Sequence, residues 1–256
     1  MVFSWGKVQR TKAASMAGEM HGKTVVITGG TGNVGRAVAS RFAKAGANLI
    51  LVDRDMQRLQ DFAAELHSTY AVQTHPAQVD ALDAAAVETF IEAAVERFGQ
   101  IDIVAHTIGG FAYGDPVYAM NMDTLQQQIN LNVLPIYTFV GRVVKHMLDQ
   151  GVRGKVVIVL SRAAVKGGAN SSAYTATKAA AQSVMESLAL EVRDQGIHVN
   201  GVMPSIIDTP INRRDMPNAD YAKWVTADDI ADAMYFLSSD AARSLYGVSL
   251  EVYGRV

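Results

Sequence analysis

The chain has 256 residues, 49% of them hydrophobic and 19% charged, with a formal net charge of −2 at pH 7. This composition is ordinary for a globular protein with a sizeable core, and the charge gives no reason to expect a nucleic acid or a membrane as partner. The absence of cysteine excludes disulfides, thiolate metal sites and cysteine nucleophiles, and it is compatible with the cytoplasm, the compartment that we predict. The six histidines show no metal-ligand spacing, so no metal site is predicted.

The N-terminal twenty residues are predicted to be a flexible extension rather than part of a domain. They have no regular hydrophobic pattern and no acidic residue before Glu19. They also lack the apolar region of a secretory signal, and no apolar run in the chain reaches the roughly 18–20 residues of a membrane span. We therefore predict an extension over residues 1–20, with a short transit peptide as the alternative, and one domain over residues 21–256.

A strand, a glycine-rich turn and a helix open the predicted domain. Residues 23–28 form a β-branched run, residues 29–35 read G-G-T-G-N-V-G, and residues 36–45 have helical periodicity. Glycines let the backbone approach a pyrophosphate, and a helix N-terminus supplies free N–H groups and a positive dipole end. The pattern therefore predicts a dinucleotide site. The residues of the turn that we expect to bind it are Gly29, Thr31, Gly32, Asn33, Val34 and Gly35.

The second predicted strand, residues 48–52, is followed by Asp53. A carboxylate at this place binds the adenosine ribose hydroxyls in dinucleotide folds and repels a 2′-phosphate, which favours NAD over NADP. Arg54 favours the opposite choice, because it can pair with such a phosphate. The predicted cofactor is NAD, with NADP as the alternative. Asp53 also fits the N-cap of a predicted helix over residues 56–67.

The rest of the chain alternates predicted strands with predicted helices. Pro135 lies inside one of these helices and cannot donate to the carbonyl of Leu131, so a kink is expected beside Asn130 and Asn132. Continuous apolar strands that alternate with helices are typical of a parallel sheet covered on both faces. We predict a single-domain α/β fold of Rossmann type, with a doubly wound, parallel, seven-stranded sheet. The further strands are predicted over residues 71–79, 101–106, 155–160, 198–203 and 248–252, and the further helices over 84–98, 124–148, 172–194 and 227–237.

Tyr174 and Lys178 lie one helical turn apart on a predicted helix, so their side chains share one face. A nearby ammonium favours the phenolate, and we expect Lys178 to lower the pKa of Tyr174 below its reference of about 10. Such a phenol can exchange a proton with a carbonyl or alcohol oxygen. Other polar candidates follow strand ends, where open parallel sheets bind their ligands. They are the glycine turn, Asp53, Asp80, His106, Ser161 and residues 204–209.

These motifs together resemble the short-chain dehydrogenase/reductase family, from about Lys23 to Gly254. The resemblance implies an NAD(P)-dependent oxidoreductase that transfers a hydride between nicotinamide and a small-molecule carbonyl or secondary alcohol. It also implies a homotetramer built on the long predicted helices and the C-terminal strand. The residues that carry the resemblance are Thr28-Gly29 with Gly35, Asp80, Asn132, Ser161, Tyr174-x-x-x-Lys178, Val199-Asn200, Pro204, Thr209, and Gly247 with Val252-Tyr253-Gly254.

The resemblance implies a role for each matching residue. Tyr174 becomes the general acid/base, and Lys178 lowers its pKa and holds the nicotinamide ribose. Ser161 polarises the substrate oxygen, and Asn132 anchors a water in a proton relay. The resemblance places Asp80 at the adenine. The remaining cofactor contacts that it implies are His106, Gly109, Pro204, Ile207 and Thr209.

Four positions depart from the pattern of the family. Asn33 stands where a glycine is expected, and Ser205 follows Pro204 where the family prefers glycine. The usual N-N-A-G after the fourth strand reads H-T-I-G at residues 106–109, so His106 either fills the same structural place or acts near the cofactor. The usual D-G-G near the end reads Y-G-R at residues 253–255.

Residues 109–114 and 204–224 are locally similar to quinonoid dihydropteridine reductase, and we expect them to contact the substrate. Their aromatic side chains can stack on a planar substrate or simply pack the loop. Two alternatives to the carbonyl oxidoreductase stay open, namely a pteridine-type C=N reductase and a non-catalytic dinucleotide-sensing regulator. The candidate substrate residues are Gly110, Phe111, Ser205, Met216 and Trp224.

Overall fold

The computed structural model describes residues 19–256. Its centre is one seven-stranded, fully parallel sheet in the order β3-β2-β1-β4-β5-β6-β7. This result confirms the predicted α/β sheet. The strands are β1 Thr24–Thr28, β2 Asn48–Asp53, β3 Thr74–Gln78, β4 Ile103–His106, β5 Lys155–Val159, β6 His198–Pro204 and β7 Ser249–Val252.

Helices cover both faces of the sheet. One core packs helices against one face of the sheet through side chains such as Phe42, Phe62 and Met234, and the other contains Phe139 and Met185 on the opposite face. Burying apolar side chains on both faces explains why the strands read as continuous hydrophobic runs. The α-helices are α1 Asn33–Lys44, α2 Met56–Tyr70, α3 Ala84–Phe98, α4 Met122–Asn132, α5 Gly141–Asp149, α6 Ser172–Val192, α7 Pro210–Asp215 and α8 Ala227–Ser238.

The strand order reverses between β1 and β4. The chain adds β2 and β3 on one side of β1, and then returns to place β4 on its other side, with Thr28 opposite His106. Loops after the carboxyl ends of β1 and β4 therefore diverge and leave a crevice, which is the place where open parallel sheets bind their ligands. The fold thus places the glycine turn and the loop after His106 at the same crevice.

Three elements differ from the prediction. The strand predicted over residues 71–79 is confined to β3. The reason is that α2 continues to Tyr70, where Ala71 caps the helix in the left-handed conformation, with φ 56°. The helix predicted over residues 124–148 is interrupted at Pro135, as expected, but a π-helical segment, Ile136–Val140, joins its two parts. The short helix α7 was not predicted.

The predicted N-terminal extension falls outside the described residues up to residue 18. Its last two residues contact the folded chain. Met20 is buried in the core, its N–H donates to the carbonyl oxygen of Ala45 at 3.1 Å, and Glu19 accepts a hydrogen bond from the Tyr235 hydroxyl. Across residues 19–256, no helix is both long enough and apolar enough to cross a membrane.

Candidate active site

The glycine turn after β1 is held by backbone contacts too close for a side chain. A Cβ atom on Gly35 would lie 2.1 Å from the carbonyl oxygen of Gly29, and Gly29 itself has φ +65°. Gly32 is the N-cap of α1 and provides no side chain to bond the first N–H groups of the helix. Asn33 and Val34 begin α1 at this point. The turn therefore fits a pyrophosphate, which needs close backbone approach and free N–H donors.

Asp53 lies at the end of β2 and is tied to the glycine turn. Its carboxylate accepts hydrogen bonds from the Thr31 hydroxyl at 2.5 Å, the Thr31 N–H at 3.1 Å and the Arg54 N–H at 2.8 Å. Burial acts to raise the pKa of Asp53, but these hydrogen bonds and the Arg58 guanidinium outweigh it, so the pKa is lowered. Asp53 is not the N-cap of α2, since Asp55 occupies that place and accepts the Arg58 N–H.

Two other predicted adenosine contacts flank Asp53. Arg54 is exposed beside it, and Asp80 is exposed beyond the end of β3. The Asp80 carboxylate accepts the N–H of Leu82 at 2.9 Å, which fixes the turn before α3. The two residues lie after neighbouring strands, β2 and β3, at the same edge of the sheet.

His106 ends β4 and is buried against β1. Its Nδ1 lies 2.9 Å from the Thr28 hydroxyl oxygen, and the Thr107 hydroxyl donates to the Thr28 carbonyl at 2.7 Å. Burial, together with the nearby charge of Lys178, lowers the pKa of His106 to about 3. The imidazole is therefore neutral at physiological pH. This environment favours the structural interpretation of His106 over a catalytic one.

The Asn132 side chain connects α4 to the loop after β4. Its Oδ1 accepts the N–H of Gly110 at 3.0 Å, and its Nδ2 donates to the carbonyl oxygen of the same glycine at 3.0 Å. Nδ2 also lies 3.1 Å from Gln128 Oε1 and 3.1 Å from Thr177 Oγ1. Both partners are buried, and neither was identified from the sequence. The signal that could have found them is helical spacing, because Gln128 lies one turn before Asn132 and Thr177 immediately precedes Lys178.

Lys178 is buried beneath the same loop. Its Nζ donates to the carbonyl oxygen of Val159 at 3.1 Å, and burial lowers its pKa to about 8. A Cβ atom on Gly109 would lie 3.0 Å from Lys178 Nζ and 3.1 Å from Asn132 Oδ1. Gly109 therefore lets the loop close over the lysine and the asparagine.

Ser161 and Tyr174 complete the site, with Tyr174 one turn before Lys178 on α6. Ser161 follows β5 and is buried, and its Oγ accepts the N–H of Ala163 at 3.1 Å. Burial raises the pKa of Tyr174, and interaction with the Ser161 hydroxyl offsets part of the increase. The predicted lowering of the Tyr174 pKa by Lys178 is thus wrong for the protein without ligand, because the desolvation of the phenolate dominates.

The loop after β6 holds the predicted carboxamide contacts. Pro204 is buried, and Ile207 forms a parallel bridge with Val225. The Thr209 hydroxyl accepts the N–H of Asn212 at 3.2 Å and so caps α7. The segment is therefore held by backbone and capping bonds rather than left as an open loop.

The candidate substrate residues fall into two groups. Gly110 and Phe111 lie next to the site: a Cβ on Gly110 would meet Leu131 at 2.5 Å, and the Phe111 ring is exposed. Ser205 is engaged elsewhere, since its hydroxyl donates to the carbonyl oxygen of Tyr253 at 2.7 Å. Met216 is half-buried at the end of α7, and Trp224 is buried against the Tyr221 ring, 4.8 Å between centroids, so Trp224 packs the loop instead of facing a substrate.

The chain is similar to known dehydrogenases over most of its length. It is 30% identical to an L-rhamnose 1-dehydrogenase (NADP(+)) from Thermoplasma acidophilum, an alignment that covers 87% of this chain and 91% of that protein. Among solved structures, NAD+-bound xylitol dehydrogenase has a TM-score of 0.83 at 25% identity, covering 92% of this chain and 99% of the other. Carveol dehydrogenase from Mycobacterium avium in complex with NAD has a TM-score of 0.85 at 27% identity, covering 93% and 98%.

The family profile described as short chain dehydrogenase matches residues 23–220. The comparisons support an enzyme with NAD or NADP as cofactor, as predicted, and not the non-catalytic sensor. They give no support to the local similarity to quinonoid dihydropteridine reductase. The protein is an NAD(P)-dependent oxidoreductase of alcohol or carbonyl substrates, and it belongs to the short-chain dehydrogenase/reductase family.

Proposed function

We propose that this enzyme interconverts a secondary alcohol and its carbonyl compound with Tyr174 as the general acid/base. The observation that carries the proposal is that Tyr174 lies one turn before the buried Lys178 on α6 and interacts with the Ser161 hydroxyl after β5. When bound, the nicotinamide accepts the hydride from the alcohol carbon or returns it to the carbonyl carbon. The chain's own residues handle the proton and the oxygen.

Tyr174 moves the proton of the reacting oxygen. In the reductive direction the neutral phenol gives its proton to the oxygen, and the raised pKa of Tyr174 keeps that phenol protonated at neutral pH. In the oxidative direction the phenolate takes the alcohol proton while the C–H bond gives up its hydride. The Ser161 hydroxyl donates to the same oxygen. Lys178, with a pKa of about 8, is mostly an ammonium at pH 7 and so can stabilise the phenolate.

The break after α4 prepares a place for a water. Pro135 has no N–H, so the carbonyl of Leu131 loses its helical partner. The Ile136 N–H donates to the carbonyl oxygen of Val133 at 3.1 Å rather than to that of Asn132. We therefore propose that the main-chain carbonyl oxygen of Asn132 holds a water of the site. We assign Asn132 to a proton relay that leads from Tyr174 through Lys178 to this water.

We assign the dinucleotide to the glycine turn and the strand ends. The uncapped start of α1 binds the pyrophosphate. Asp53 binds the adenosine ribose, and Asp80 contacts the adenine. The loop after β6 takes the carboxamide through Ile207 and Thr209. NAD is the expected cofactor because the ionised Asp53 disfavours a 2′-phosphate, while the exposed Arg54 leaves room for NADP.

The homotetramer is also proposed from the family. Tyr137 beside α5 and Leu190 on α6 are 57% and 64% exposed, respectively, so the helices that the family uses for assembly present large apolar side chains to solvent. Light scattering of the purified full chain tests this, and a monomeric mass would contradict it.

The Tyr174→Phe variant tests the mechanism. It removes the transferable proton and keeps the ring, so turnover should fall by about a thousandfold or more. Binding of NADH, followed by its fluorescence, should stay within about twofold. Tyr118→Phe is the matched control, because Tyr118 is 93% exposed outside the site. Retained turnover in Tyr174→Phe contradicts the role of Tyr174.

A further inference from the structure

The segment after β4 is anchored on both sides of an exposed aromatic ring. On one side the Asn132 amide holds both the N–H and the carbonyl of Gly110, each at 3.0 Å. On the other side the Gly114 N–H donates to the carbonyl oxygen of Asn170 at 2.8 Å, which joins the segment to the loop before α6. Phe111 lies between the two anchors, so the backbone on both sides of it is held in place before a ligand binds.

The Phe111 ring lies against the reacting phenol. Its centroid is 4.9 Å from that of Tyr174 at an interplanar angle of 79°, an edge-to-face contact. The ring is nevertheless 64% exposed. An apolar ring that is fixed beside the acid/base and still open to solvent offers a surface for the carbon atoms next to the reacting carbon.

Charged side chains on the loops after β5 and β6, at the same edge of the sheet, are mostly engaged elsewhere. Asp208 pairs with the guanidinium of Arg213 at 2.5 and 2.7 Å, and Arg162 donates to the carbonyl oxygen of Val256 at 2.9 Å. Residues 107–114 contain no charged residue. Lys166 is exposed on the loop after Ser161, so a carboxylate-bearing substrate belongs in any test of this site.

We propose that Phe111 forms an apolar subsite for the hydrocarbon ring of an uncharged cyclic secondary alcohol or of its ketone. This inference rests on the proposed function of Tyr174 and adds the class of substrate. A polyol gains little from this surface, because a phenyl ring offers its hydroxyl groups no strong hydrogen-bond partner and their desolvation goes uncompensated.

Three alcohols built on the same six-membered ring, with no other group, with further hydroxyl groups or with a carboxylate, separate the possibilities. We suggest measuring kcat/KM with saturating NAD for cyclohexanol, for myo-inositol and for 4-hydroxycyclohexanecarboxylate, in the wild type and in Phe111→Ala, Phe111→Leu and Tyr118→Ala. The wild type should prefer cyclohexanol. Phe111→Ala should lose about tenfold in kcat/KM for cyclohexanol, since most of the apolar contact is removed. Phe111→Leu should keep most of the wild-type kcat/KM for cyclohexanol, and the control variant Tyr118→Ala should keep all of it.

Binding of NADH by each variant shows that the protein is folded and that the cofactor site is intact. Preference of the wild type for myo-inositol or for the carboxylate overturns the apolar subsite, as does an unchanged kcat/KM in Phe111→Ala. Those outcomes leave the proposed function standing if Tyr174→Phe is inactive on the preferred substrate. Turnover that survives in Tyr174→Phe overturns the proposed function instead, and the comparison at Phe111 can still be read.

Discussion

The cofactor half and the substrate half of the crevice are built in different ways. In the cofactor half, backbone packs on backbone: a Cβ on Gly35 has no room beside Gly29, and the Asp53 carboxylate is bonded to the turn. In the substrate half, side chains project into solvent: Phe111, on the anchored loop after β4, is 64% exposed, and Ile211, on α7, is 57% exposed. Close backbone contact admits few changes, whereas exposed side chains on anchored loops can be exchanged.

The strongest test of this contrast is Gly35→Ala. The added Cβ would lie 2.1 Å from a backbone oxygen, which cannot move without shifting the start of α1 away from the turn. We expect dinucleotide affinity to fall by about 100-fold and the free energy of unfolding to fall by on the order of 2–3 kcal/mol. Fluorescence titration with NADH and urea denaturation measure the two effects.

Gly167→Ala is the matched control in the substrate half. A Cβ there meets nothing within 4 Å. Its free energy of unfolding should stay within about 0.5 kcal/mol of the wild type, and NADH affinity should not change. If the two alanine variants behave alike, the contrast between a packed half and an open half is wrong.

The sequence could predict the cofactor half because its signals are local. A β-branched run, glycines and a helix are adjacent in the chain, and the loss of an N–H at Pro135 follows from covalent structure alone. The same local reasoning placed Tyr174 and Lys178 on one face of a helix. Parallel strands then bring these local segments to one edge of the sheet.

The parts that could not be predicted depend on burial. The pKa of Tyr174 is raised because the folded chain desolvates the phenol, and no spacing of residues reports desolvation. Trp224 packs against its loop because the fold buries its side chain, and the sequence does not report that burial either. The start of β3 was misplaced because Ala71 adopts the left-handed conformation, which favours glycine and leaves no signal when alanine occupies it.

His106 allows a second test of the cofactor half, with an expected effect of intermediate size on the free energy of unfolding. Because the pKa of the buried imidazole is about 3 in the folded protein, the unfolded chain binds more protons between pH 3 and about 6.5. The stability that neutral His106 contributes is therefore present above pH 6.5 and is lost as the pH falls toward 3. His106→Asn removes the titration and can still bond Thr28.

The expected difference follows from this linkage. Between pH 7.5 and pH 4.5, the wild type should lose about 2–3 kcal/mol more of its free energy of unfolding than His106→Asn. Urea denaturation at the two pH values measures it, and the other histidines cancel in the comparison. Parallel losses in the two proteins would show that His106 is not buried as a neutral side chain.

The smallest expected effect is at Gln128, where the two halves meet. Gln128 Oε1 is one of three acceptors around Asn132 Nδ2, at 3.1 Å, so Gln128→Met removes one bond and leaves those to Gly110 and Thr177. We expect a loss of about 1 kcal/mol in stability. We also expect a several-fold fall in kcat with little change in the KM for NAD, because Asn132 loses orientation while the glycine turn is untouched. Equal changes in kcat and in the KM for NAD, or an unchanged kcat, would mean that Gln128 only supports packing and does not position Asn132.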